Sequence, residues 1–259
     1  MSALPPWLFW TFVALLGLVV GSFLNVCIHR LPLRLSIWTP PSRCGACKTP
    51  VGWRDNVPVV SYLLLSGRCR HCRAGISVVY PIVELVTAAI FLVHVGVLGL
   101  TWFAAIRILF ACAMLVLFFI DLEHQILPNV ITLPGVLVGL LASLAGPPGF
   151  ALSLLGAVLG GGVLWAIAEM YVRVRGIEGM GMGDVKMLGM IGAFLGAPLM
   201  GLTLILASFA GAVTGVALML AGRGDLQRRL PFGTFLAAAA VFASLCGQPI
   251  VDWYAGFYA

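Results

Sequence analysis

Charge is what this sequence has least of. Of its 259 residues 9% are charged, and only 9 are Asp or Glu, where an ordinary soluble protein carries about 25% charged residues. With 61% hydrophobic residues and a mean hydropathy of +1.09, the chain falls outside the soluble globular range and reads as a polytopic membrane protein. No basic residue precedes the first apolar run, 7–28, and no small-residue cleavage pattern follows it. That run is therefore expected to be a retained span and not a secretory signal. No GxSxG, HExxH or Walker-type stretch occurs, so the usual motifs of serine hydrolases, zinc peptidases and P-loop enzymes are missing. No internal repeat and no low-complexity tail is evident.

What is present is a series of apolar segments, at 7–28, 81–100, 102–120, 129–146, 150–172, 184–199, 201–221 and 232–249. Most approach the roughly 20 residues that cross a bilayer. The expected fold is an all-α polytopic membrane protein of about eight transmembrane helices, with one small polar insert between the first and second. The expected division is a first helix at 1–28, an insert at 29–80 and a seven-helix core at 81–259. With the insert in the cytoplasm, every one of the 15 Lys and Arg residues except Arg107 falls on that side, as the positive-inside rule requires. Both termini then face outward, and Arg107 is expected to snorkel from its helix end. The net charge of +6 reflects this bias and attraction to anionic lipid, not nucleic-acid binding. Gly156 with Gly160, Gly192 with Gly196, and Gly211 with Gly215 are spaced to let helix backbones approach. The short, glycine-rich 184–199 segment is expected to be buried among its neighbours.

The stretch Glu178–Lys186, EGMGMGDVK, sets an aspartate among glycines at the mouth of an apolar segment. An ionisable side chain there is a functional candidate by default, and Gly179, Gly181 and Gly183 permit close backbone approach. Asp184 opens its span at the same boundary where Asp121, in FFIDLEHQILPN, ends another. Two carboxylates a few ångströms apart share one proton. One then activates a water while the other polarises a carbonyl and protonates the leaving amine, which is peptide hydrolysis without a covalent intermediate. The competing reading is structural, since acids at helix ends often cap them. Glu84, Glu123, Glu169 and Glu178 are further boundary acids, either alternative partners or an acidic rim for a basic peptide.

In the insert, Cys44 and Cys47 form one CxxC and Cys69 and Cys72 a second, 21 residues apart. This spacing suits a closed four-thiolate zinc site, which is structural and not hydrolytic. A pair of disulfides is the alternative, disfavoured in a reducing cytoplasm. His71 is a possible substitute ligand; Cys27, Cys112 and Cys246 are expected to be packing residues.

Taken together, GSFLNVCIHRLP, the paired CxxC insert, YPIVELVTA, DLEHQILPNVITLPG, GMGDVKMLGMIGAFLG and PFGTFLA resemble, in that order, the type IV prepilin peptidases, the GxGD-type aspartic membrane peptidases also called prepilin leader peptidase and N-methyltransferase. The resemblance implies cleavage of basic leaders from type IV prepilins or type II secretion pseudopilins at the cytoplasmic face of the inner membrane. It also implies methylation of the new N-terminal amine by S-adenosylmethionine. It implies Asp121 and Asp184 as the catalytic pair, supported by Gly181, Gly183 and Lys186, and Cys44, Cys47, Cys69 and Cys72 as ligands of a structural Zn2+. GSFLN and the insert belong to the part linked to methyl transfer, with no donor-binding loop of GxGxxG type. Thr234 stands where many relatives carry proline, and is expected to loosen the entry to the last span. Asn129 stands where some carry aspartate, removing a rival to Asp121. The other readings are a presenilin-like intramembrane protease and, from a different class, a cation transporter whose boundary acids bind ions.

Overall fold

The computed structural model describes residues 5–176, 181–221 and 230–257. Glu178 and Gly179 of the glycine-rich stretch, and Arg223, Arg228 and Arg229, lie outside the described residues. Among the described residues there are helices and no strand: α1 Pro6–Arg30, α2 Val60–Leu64, α3 Val79–Leu98, α4 Trp102–His124, α5 Asn129–Ala142, α6 Phe150–Arg175, α7 Met182–Leu220 and α8 Phe232–Ala255, with one 3-10 turn at Trp53–Asp55. Six of them (α1, α3, α4, α6, α7 and α8) are long and apolar enough to cross a membrane. The apolar segment at 129–146 forms the 14-residue α5. The segments at 184–199 and 201–221 are two halves of the 39-residue α7, which breaks at Gly196, where φ is 79° and ψ 169°. Pro198 follows, and proline cannot donate to the preceding turn.

The chain forms two compact units, Met1–Cys112 and Ala113–Ala259. In the first, α1 lies against α3 through Gly17 and Gly21. A Cβ on Gly17 would stand 2.6 Å from the Ala88 Cα, and one on Gly21 2.7 Å from the Glu84 Cα; only glycine permits so close an approach. The insert joins these helices as two matching knuckles. Arg43 bridges Pro50 and Arg68 bridges Gly75. The Cys44 N–H donates to Thr49 O at 2.9 Å and the Cys69 N–H to Ala74 O at 2.8 Å. The residue after each CxxC, Lys48 or Arg73, has a positive φ. This local duplication corrects the expectation that the chain holds no repeat, because it lies in backbone conformation while the residues between the cysteines differ. Arg107 also corrects its reading. It is 7% exposed, its guanidinium 4.9 Å from the centre of the Phe103 ring. Ala104, Arg107, Phe110 and Ala111 share one buried stripe of α4, so helical phase turns Arg107 inward whatever its distance from the helix end.

In the second unit the core is the first half of α7. Met187, Leu188, Met190, Ile191 and Ala193 have no exposed surface, as expected of a segment enclosed by its neighbours. Glycines set the spacing here as well. A Cβ on Gly160 would lie 2.6 Å from Leu188 O, one on Gly156 2.6 Å from Gly192 O, and one on Gly192 would collide with Gly156 O. On the α5 side, a Cβ on Gly139 would lie 2.9 Å from the Ala193 backbone. Gly211 and Gly215 make looser contacts, with Phe235 and Leu230.

Candidate active site

Asp121 occupies the last full turn of α4, on the stripe that buries Met114, Leu117 and Ile120, and is 5% exposed. Its position follows from phase, since a residue three or four beyond Leu117 continues the buried face. The start of α8 meets it there. The Thr234 N–H donates to Asp121 Oδ2 at 2.7 Å, and the Thr234 hydroxyl donates to the same oxygen at 3.1 Å. Gly233 makes this contact possible, because a Cβ there would stand 3.0 Å from the Asp121 carboxyl carbon. Thr234 therefore does not loosen the entry to α8. It ties that entry to Asp121, a role that residue type alone does not disclose.

Asp184 sits in the first turn of α7, half-buried, behind Gly181 at the N-cap. The side chain of Leu127 fills the space beside it: a Cβ on Gly183 would be 2.9 Å from Leu127 Cβ, and one on Gly233 2.9 Å from Leu127 Cδ1. Asp121, Leu127, Gly183 and Gly233 thus converge, and Asp184 lies within electrostatic reach of Asp121. Two residues further on, Lys186 donates from Nζ to Asn129 Oδ1 at 3.0 Å, tying the start of α7 to the start of α5. Two carboxyls in mutual reach at the ends of two buried helices, one with an oxygen held by fixed donors, can hold a water and exchange its proton. Of the other boundary acids, Glu123 is exposed, Glu169 pairs with Arg173 at 2.9 Å, and Glu84 lies in the first unit.

The four insert cysteines also come together. Cys44, Cys47, Cys69 and Cys72 place their sulfurs within 4.8 Å of one another, with Cys44 and Cys72 Sγ 3.7 Å apart. A tetrahedral zinc with Zn–S of about 2.3 Å needs sulfurs about 3.8 Å apart, so the set fits that ion, and the thiols are free and not bridged. The side chain of Thr49, hydrogen-bonded to Cys47, is the main cause that draws this thiol down to about 6. Arg70, inside the second CxxC, donates to both oxygens of Asp55, from Nε at 3.0 Å and from Nη2 at 2.6 Å; the pairing holds the Asp55 carboxyl below its usual range. Of the remaining cysteines, Cys27 and Cys112 are buried, but Cys246 is exposed and so does not pack.

Comparison with known proteins follows the same two-part division. Residues 15–97 match the bacterial peptidase A24 N-terminal domain, and residues 108–216 match the type IV leader peptidase family. A prepilin leader peptidase/N-methyltransferase of Aeromonas salmonicida is 38% identical, with 96% of this chain and 94% of the relative covered. The chain belongs to the type IV leader peptidase family. Further members similar to it are the prepilin leader peptidase/N-methyltransferases of Pseudomonas aeruginosa, 37% identical over 94% of this chain and 92% of the relative, and of Burkholderia pseudomallei, 35% identical over 96% and 89%. No solved structure matches the chain. In this leader peptidase family member, residue reasoning pointed to both aspartates and all four cysteines. It did not point to Leu127, Gly233 or the hydrogen bonds of Thr234, whose only sequence signal is a small residue at the start of a span.

Proposed function

We propose that this protein cleaves the basic leader from type IV prepilins or type II secretion pseudopilins, and then methylates the new N-terminal amine with S-adenosylmethionine as donor. Asp121 and Asp184 are the proposed catalytic pair. What supports this is the convergence of Asp121, Leu127, Gly183 and Gly233, with Asp184 in electrostatic reach of Asp121, in a chain of this family. One carboxyl takes a proton from water as the oxygen attacks the scissile carbonyl. The other hydrogen-bonds the carbonyl oxygen and passes a proton to the departing amine. Asp121 has Oδ2 occupied by the two donors of Thr234, which leaves Oδ1 to face water and substrate. Lys186 and Asn129 hold the start of α7, and Gly181 and Gly183 let the backbone come close to an extended peptide.

The proposed setting is the bacterial inner membrane, with the termini outside and the dyad near the cytoplasmic face, as the distribution of Lys and Arg supports. The proposed division into 1–28, 29–80 and 81–259 assigns the insert to methyl transfer and the last part to cleavage. Four thiolates would hold a structural Zn2+, which supplies the cross-link that an insert with so little core lacks. A presenilin-like protease or a cation transporter is not favoured, since neither accounts for relatives at 35–38% identity along nearly the whole chain.

The experiment is incubation of the purified protein with a prepilin and labelled S-adenosylmethionine, followed by intact-mass analysis. Wild type should remove the leader and add one methyl group. Asp184→Asn should stay folded and remove none; processing at the wild-type rate would exclude the dyad.

A further inference from the structure

In the first unit, the insert and the adjoining ends of α1 and α3 line a cavity of about 580 Å3. Small-molecule sites span about 300–1,000 Å3. Its wall is mostly apolar in area, but polar and charged side chains line it too, among them Asn25, Arg30, Arg43, Asp55, Arg70 and Glu84. Glu84 is 7% exposed. It reaches this position because Gly21 admits the α3 backbone next to α1. Its Oε2 accepts the Val59 N–H at 2.8 Å, and the Ser22 hydroxyl also bonds to it. Among the described residues no basic side chain forms an ion pair with it. A carboxyl withdrawn from water either takes up a proton or is met by a cation. Nothing in the peptidase chemistry uses this one.

We infer that this cavity binds the methyl donor, S-adenosylmethionine, and that Glu84 supplies the negative charge facing its cationic end. The inference rests on the methyl-transfer half of the proposed function. The size suits an adenosyl group lying along apolar wall, and the donor's sulfonium and ammonium charges need an anion at one end of the site. In the transfer the lone pair of the substrate's neutral N-terminal amine attacks the methyl carbon. The carbon–sulfur bond breaks with its electron pair left on sulfur, and the neutral thioether departs. The methylated ammonium so formed gives its extra proton to water. Glu84 also tethers the insert through Val59, but a glutamine can still accept that N–H. Charge and tether are therefore separable.

The test is direct binding of radiolabelled S-adenosylmethionine to the purified full-length protein by equilibrium dialysis, with ultraviolet cross-linking and peptide mapping of the wild type. Glu84→Gln should weaken binding at least tenfold while keeping its full zinc content. Asp184→Asn should bind the donor as the wild type does. Cross-links should fall on peptides that carry Ser22–Arg30, Val57–Tyr62 or Tyr80–Glu84. Unchanged affinity in Glu84→Gln, or cross-links confined to residues 113–257, overturns the inference and leaves the proposed function standing. A wild type that binds no donor removes both this site and the methyl-transfer half of that function. If Glu84→Gln fails to fold, the cross-link map of the wild type decides.

Discussion

At the scale of single residues, the informative contact is the one that Thr234 makes with Asp121. A hydrogen bond to a charged group contributes about 1.5–3 kcal/mol. Losing the hydroxyl and keeping the N–H should therefore slow leader cleavage about tenfold, which corresponds to about 1.4 kcal/mol on the barrier. Thr234→Val is the variant for this and Thr234→Ser its rescue, compared by initial rates on one prepilin. Equal rates for wild type and Thr234→Val would mean that the hydroxyl only packs. Asp121→Asn should abolish cleavage outright, since an amide cannot take a proton from water. Lys186→Met should act more mildly, because it frees the start of α7 by removing one bond to Asn129 and leaves both carboxyls in place.

At the scale of elements, the pairing of α6 with α7 depends on glycine. A side chain at Gly160 would run into the Leu188 carbonyl, with the nearest approach at 2.6 Å. Backbone cannot yield as a flexible side chain does, so overpacking here should cost at least about 1–3 kcal/mol. Gly160→Val should lower the thermal midpoint in detergent, while Gly162→Val, where a Cβ meets nothing within 4 Å, should not. The insert responds to different conditions. Its thiols must shed protons to hold zinc, and the Asp55–Arg70 pair keeps the Asp55 carboxyl below its ordinary value. A depressed carboxylate adds stability above its unfolded pKa, near 4, and loses it as pH falls through the lower folded value. Acid should therefore release zinc first and then loosen the 3-10 turn from the second knuckle, as followed by a zinc-sensitive dye and by proteolysis after Arg54 or Arg70. A strong chelator at neutral pH should release the metal without breaking the ion pair.

At the scale of the whole molecule, the one-sided distribution of basic residues predicts a definite orientation. A cysteine introduced at Trp38 in the insert, in a zinc-loaded Cys246→Ser background, should react with an impermeant reagent only after the membrane is opened. One introduced at Thr101, between α3 and α4, should react in intact spheroplasts. The reverse pattern would invert the topology and move the dyad to the outer face.

The residues alone determined a good deal here, because membrane spans and metal knuckles are written in short-range patterns. Length and apolarity specify a helix in lipid whatever it touches, and a CxxC presents two sulfurs from one turn. The glycine and carboxylate signature was readable for the same reason. Tertiary structure decided what depends on distant parts of the chain meeting. It made one broken helix of two apolar segments, because Gly196 turns the chain without ending the element. It buried Arg107 by helical phase. It brought Thr234 to Asp121 and set Glu84 against a cavity, and no local pattern encodes which side chain will face another across a gap that glycine alone keeps open.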